Sequence, residues 1–195
     1  MITTKIIEIL KNGGVGVVPT DTIYGLVGSA FFQKTVERVY KVKGRDLKKP
    51  LIILISSLED LEKFGIEVDK KIKLFLQKVW PGKVSVILPL VNSNFDYLSR
   101  GSNSLAFRLP DNEKLISLLE KTGPSVAPSA NPEGLDPAGN IKKAKEYFGE
   151  KVDFYLDGGE LKSLSSTLVE IKGGEVKVLR EGEDIKKVLG FGDEI

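Results

Sequence analysis

The chain contains no cysteine and no histidine among its 195 residues. Without cysteine there can be no disulfide, thiolate nucleophile or thiolate metal site. Without histidine there is no Ser-His-Asp triad, no imidazole general base and no zinc site of the common kinds. No apolar run approaches the roughly 20 residues of a membrane span. The first residues, MITTKIIEILKNGG, lack the apolar core and small-residue cleavage site of a signal peptide, so a soluble cytoplasmic protein is expected. An excess of one charge is missing too: 29 basic residues face 27 acidic ones, for a net charge of +2. That excludes a polybasic coat but not a local basic cleft. No G-x-x-x-x-G-K-[ST] loop occurs, and Gly14-x-Gly16 runs into Pro19 rather than a third glycine, so neither a P-loop nor a Rossmann site is expected.

What is present suits one α/β domain over residues 1–195. Hydrophobic residues make up 41% and charged residues 29%, with no low-complexity linker and no repeat. Apolar spacing predicts helices over 4–12, about 33–43, 69–79, 112–121, 140–148 and about 183–189, and a short helix capped by Ser57 and carrying Leu58, Leu61 and Phe64. Strands are predicted at 15–18, 51–55, 84–88, 105–109, 124–128, 167–172 and 175–180. Gly173-Gly174 marks a hairpin, so at least one pair is antiparallel and the sheet is mixed.

Catalysis must then rest on Lys, Arg, carboxylates, hydroxyls, amides or a borrowed metal ion. Three segments and two arginines concentrate such groups. Pro19-Thr20-Asp21-Thr22-Ile23-Tyr24-Gly25-Leu26 follows a buried strand, where α/β folds tend to place ligands. Lys41-Val42-Lys43-Gly44-Arg45-Asp46-Leu47-Lys48-Lys49-Pro50 closes a helix and could clamp phosphate, with Arg45 as a planar fork and the lysines as point charges. Pro128-Ser129-Ala130-Asn131-Pro132 is a rigid polar loop, Arg108 interrupts an apolar strand, and Arg180 ends another. Taken singly each has a plain alternative: a hydroxyl-rich turn, compensation of a helix dipole, or a surface arginine.

Taken in order, they are specific. Pro-Thr-Asp-Thr-Ile-Tyr-Gly-Leu, Lys43-x-Arg45, Trp80-Pro81-Gly82, Leu105-Ala-Phe-Arg108, Pro128-Ser-Ala-Asn131, Ser166-Thr167 and Leu179-Arg180 resemble the YrdC-like threonylcarbamoyl-AMP synthase family over about residues 5–182. The resemblance implies a twisted α/β sheet around a large concave basic cavity. It implies a nucleotidyltransferase that joins L-threonine, bicarbonate and ATP into threonylcarbamoyl-AMP and releases pyrophosphate. A downstream threonylcarbamoyl-transferase complex then modifies adenosine 37 of tRNA, and tRNA or double-stranded RNA is a further partner to consider. By position, Thr20, Thr22, Tyr24 and Arg108 would bind threonine. Lys43 and Arg45 would be catalytic and, with Lys49, Ser104, Ser129, Asn131, Ser166 and Arg180, would bind ATP. Magnesium would arrive with ATP, and no protein metal site is expected.

The chain departs from relatives at two places. Leu54 stands about where some carry histidine, and Pro132-Glu133-Gly134-Leu135-Asp136-Pro137 replaces a Ser-Gly and a second Ser-Pro-Thr. It resembles the short, single-domain form. Two competing readings are a non-catalytic RNA-binding module of the same fold, and a carbamoyl-transfer domain such as hydrogenase-maturation proteins contain. The near-zero net charge disfavours the first, and the short chain disfavours the second.

Overall fold

The computed structural model describes residues 2–190. In chain order its elements are α1 (Thr4–Lys11), β1 (Val15–Pro19), β2 (Tyr24–Ser29), α2 (Gln33–Lys43), β3 (Ile52–Leu54), α3 (Lys70–Val79), β4 (Val84–Pro89), α4 (Asp96–Ser99), β5 (Ser104–Arg108), α5 (Glu113–Thr122), β6 (Ser125–Val126), α6 (Ile141–Phe148), β7 (Phe154–Tyr155), β8 (Thr167–Lys172), β9 (Glu175–Arg180) and α7 (Ile185–Leu189). The strands form one sheet in the order β7-β1-β2-β6-β3-β5-β4-β8-β9. It is mixed as expected: β3 runs parallel to β5 and β4 to β8, while β1–β2, β4–β5 and the β8–β9 hairpin are antiparallel.

Strand periodicity builds two cores. Successive residues point to opposite faces, so Val17, Leu26 and Ile53 enter one cluster while their neighbours Val18, Val27 and Leu54 enter the other. The larger cluster takes Val36, Val39 and Tyr40 of α2, Phe75 and Leu76 of α3, and Phe148 of α6. The smaller takes Leu10 of α1 and Leu115, Leu118 and Leu119 of α5. Side-chain oxygens of Thr3, Asp69, Asn112 and Asn140 cap α1, α3, α5 and α6 by accepting a backbone N–H of the first turn. Gly16 serves packing: a Cβ there would lie 2.2 Å from the Phe154 ring.

Several local features differ from the sequence expectation. Tyr24–Ser29 forms β2, a strand that the sequence pattern does not predict. The strand is buried on both faces and carries two glycines, so it shows no polar alternation to reveal it. The two-residue β7 and the one-turn α4 are too short to leave a period. Leu58–Phe64 is a 3₁₀ helix, and Ser57 at its start makes no capping bond. Among the described residues no helix is long and apolar enough to cross a membrane.

Candidate active site

Loops at the ends of β1, β5, β6 and β9, with the segment before β8, converge on a recess of about 100 Å3. It is lined by Thr20, Thr22, Tyr24, Arg45, Arg108, Ser129, Ser166 and Arg180, together with Ile52 and Ala127, which pack against the smaller core cluster. The resemblance implies a large basic cavity. The recess is smaller than the roughly 300–1,000 Å3 of a drug-sized ligand site, so it suits one end of a ligand.

The hairpin turn between β1 and β2 closes on itself through hydroxyls. Thr20 Oγ1 donates to the Ile23 carbonyl at 2.7 Å and accepts the Thr22 N–H at 3.1 Å. Thr22 Oγ1 is then fixed where Arg108 Nη1 donates to it at 3.1 Å. Arg108 ends β5 and is 5% exposed. Its Nη2 lies 3.3 Å from Asp21 Oδ1, and Asp21 Oδ2 accepts the Asp111 N–H at 3.1 Å. The pair is electrostatic rather than a well-aligned bond, since Asp21 Oδ1 and Arg108 Nε are both buried without a hydrogen-bond partner. Burial, above all, pulls the Arg108 guanidinium below its ordinary pKa; Asp21 opposes that and Arg180 adds to it.

Arg180 spends Nε and Nη2 on the Ser166 carbonyl at 3.2 and 2.8 Å. Ser166 Oγ lies 2.8 Å from Ser85 Oγ. Burial and then Arg45 push the Arg180 guanidinium down as well. Arg45 donates to the Lys49 and Pro50 carbonyls at 3.1 and 3.2 Å, which leaves Nη1 uncommitted in these contacts. Three guanidinium groups and one carboxylate, Asp21, therefore share a small, partly dry space, and their mutual repulsion favours an anion.

Lys43 lies behind this wall rather than in its lining. Its ammonium donates to Ser129 O at 2.7 Å, Ser129 Oγ at 3.2 Å, Asn131 O at 2.8 Å and Asn131 Oδ1 at 3.0 Å. Among the described residues no carboxylate forms an ion pair with it, and burial, then the field of Arg45, lowers its pKa to about 8 against an opposing pull from Glu133. Asn131 in turn donates to Pro132 O and Leu135 O, closing the loop. Lys49 sits beside Arg45 and pairs with Glu133. Ser104 opens β5, four residues before Arg108, and donates to Ser102 Oγ rather than lining the recess.

Tyr24 reaches across to the 157–159 segment. Its hydroxyl donates to Gly159 O at 2.8 Å and accepts Gly158 N–H at 2.9 Å. Burial is the main reason its pKa is raised. Tyr24→Phe leaves the Gly158 N–H without that acceptor, and is expected to cost about 1–2 kcal/mol of stability, read from urea unfolding. An unchanged midpoint would mean that the tether carries no load.

Asp21, paired with Arg108, and Glu133, paired with Lys49, are not among the residues expected from the sequence, although a carboxylate between two threonines is a visible signal. Ser85 carried none, because only the β4–β8 pairing brings it to Ser166.

With this geometry in view, the comparisons decide the family. A family model, Sua5/YciO/YrdC, described as telomere recombination, matches residues 8–182. The chain belongs to this family. It is 33% identical over 189 residues to a threonylcarbamoyl-AMP synthase of Pyrococcus abyssi, covering 93% of this chain and 55% of that one. It is 32% identical over 148 residues to a threonylcarbamoyl-AMP synthase of Marinobacter nauticus, covering 75% of this chain and 78% of that one. The chain thus spans about half the length of the archaeal family member and most of the bacterial one. Among solved structures it superposes on P. abyssi Sua5 complexed with L-threonine, with a TM-score of 0.88 and 30% identity, covering all of this chain and 59% of that one.

Proposed function

We propose that this Sua5/YciO/YrdC-family chain is a threonylcarbamoyl-AMP synthase, a nucleotidyltransferase that joins L-threonine, bicarbonate and ATP. The observation that carries the reading is Arg108. A buried guanidinium, held by Thr22 and Asp21 and left with an orphaned Nε, is a ready partner for an α-carboxylate at the floor of a 100 Å3 recess. The family member solved with L-threonine, and the names of the two synthases, support it.

In this reading the threonine amine takes up carbon dioxide derived from bicarbonate and loses a proton, giving a carbamate. A carbamate oxygen attacks the α-phosphorus of ATP, and pyrophosphate leaves with the electron pair of the broken P–O bond. The substrate supplies the nucleophile, so an enzyme without cysteine or histidine suffices. The protein's work is to hold two anions together and offset their repulsion. Thr20, Thr22, Tyr24 and Arg108 face threonine. Arg45, Lys49 and Arg180 face the phosphates, and Lys43 holds Ser129 and Asn131 against the nucleotide, with Ser166 as a further contact; Ser104, outside the recess, takes no part in this reading. Magnesium enters bound to the triphosphate.

The product serves a downstream transferase complex that modifies tRNA, and the reading places the enzyme in the cytoplasm with it. The RNA-binding module is not favoured, because the relatives are named as synthases and one family member is solved with L-threonine. Incubation of the protein with ATP, magnesium, threonine and bicarbonate, followed by mass spectrometry, is expected to give threonylcarbamoyl-AMP and pyrophosphate. Absence of a product dependent on both threonine and bicarbonate would overturn the reading.

A further inference from the structure

Glu133 belongs to the segment in which this chain departs from the Ser-Gly of its relatives, and its contacts are unusual. The Asn131 amide ties Pro132 O to Leu135 O, and Gly134 turns the chain at φ 88°. Glu133 is thereby aimed at the turn that follows α2. Its N–H donates to Lys43 O at 2.9 Å, its Oε2 accepts the Asp46 N–H at 2.7 Å, and its Oε1 accepts from the Lys49 ammonium. Those two bonds and the nearby Arg45 hold its carboxyl below the usual carboxylate range.

A backbone N–H and an ammonium converging on two oxygens, with a guanidinium beside them, form a donor set that suits a phosphate as well as a carboxylate. Nothing in it reads the atom behind the oxygens. The turn that presents it begins at Gly44, with φ 64°, and is tied by Asp46 Oδ1 accepting the Lys48 N–H.

We infer that the Asp46 N–H and Lys49 form a subsite for the terminal phosphates and that the Glu133 carboxylate competes for it, so that ATP must displace that carboxylate in order to bind. The inference rests on the reading that polyphosphate binds beside Arg45. The Lys49 side chain is 57% exposed and that of Glu133 28%, so the carboxylate has room to swing out. Exposed ion pairs are weak, so the carboxylate acts as a modest competitor rather than a block.

The test is calorimetric titration of the full chain with inorganic tripolyphosphate and, separately, with AMP, which has no terminal phosphates. Glu133→Gln keeps an acceptor for the Asp46 N–H and removes the charge; Glu133→Ala removes both. Each variant is expected to bind tripolyphosphate about fivefold more tightly than wild type and AMP equally well. Adding Lys49→Ala is expected to abolish most of that gain. Unchanged or weaker tripolyphosphate binding in both variants overturns the inference, as does an equal gain for AMP, which would make the effect a general one of charge. Wild type that makes no threonylcarbamoyl-AMP, beside variants that still gain for tripolyphosphate, would sink the proposed function and leave the inference standing.

Discussion

Arg108→Met is expected to abolish threonine-dependent product formation and to destabilise the fold by about 3 kcal/mol or more. The arginine is 5% exposed and its partner's side chain is 2% exposed, so removing the cation leaves the Asp21 carboxylate buried and uncompensated. Stability and activity should separate in the double variant Asp21→Asn with Arg108→Met. Neutralising both partners recovers much of the stability because no lone charge remains, yet restores no activity because nothing binds the substrate carboxylate. Arg108→Lys keeps the charge but cannot span Thr22 Oγ1 and Asp21 at once, so threonine KM is expected to rise about 10- to 100-fold. Urea midpoints and product assays on the four proteins check this. A single Arg108 variant as stable as wild type would mean that the pair is solvated.

Lys43→Met is expected to weaken ATP binding about 100-fold, because the tether of Ser129 and Asn131 is lost and their carbonyls remain without that donor. Wild type itself should show a distinctive pH response. With the Lys43 pKa at about 8 in the folded chain against an ordinary 10.5, the unfolded state holds this proton and the native state sheds it between those values. Stability rises with pH wherever the unfolded state binds more protons, so the penalty of burying the cation is complete below about 8 and is relieved above it. Binding should move the other way. A neutral amine offers two hydrogens rather than three to four acceptors, so the loop loosens and ATP affinity falls as the pH passes about 8. Wild type measured against Lys43→Met isolates this group from the tyrosines and other lysines. Parallel pH profiles for the two proteins, in stability and in affinity alike, would show that Lys43 does not titrate there.

Both predictions concern residues legible in the sequence, but not for the reason that makes them important. Arg108 stood out as a charge inside an apolar strand, and Lys43 as one cation among several in a basic turn. That Lys43 is buried and Lys49 exposed, six residues apart, does not follow from their spacing. It follows from the packing of α2 against the 129–131 loop, which encloses the first ammonium and leaves the second at the rim.

The sequence by itself determined the class of chemistry and most of the framework. The lack of cysteine and histidine left charge and hydroxyl chemistry, the 3.6-residue periods located α1, α2, α3, α5 and α6, and the Gly173-Gly174 pair located the β8–β9 hairpin. Those features are local, since a period, a cap or a turn residue acts within a few positions of itself. Only the tertiary structure decided that Tyr24–Ser29 is a strand, that Thr22, Asp21 and Arg108 form one group, that Ser85 meets Ser166, and that Glu133 holds Lys49. These are contacts between residues as many as 87 positions apart, and each is fixed by strand order and loop packing, to which no single stretch of sequence refers.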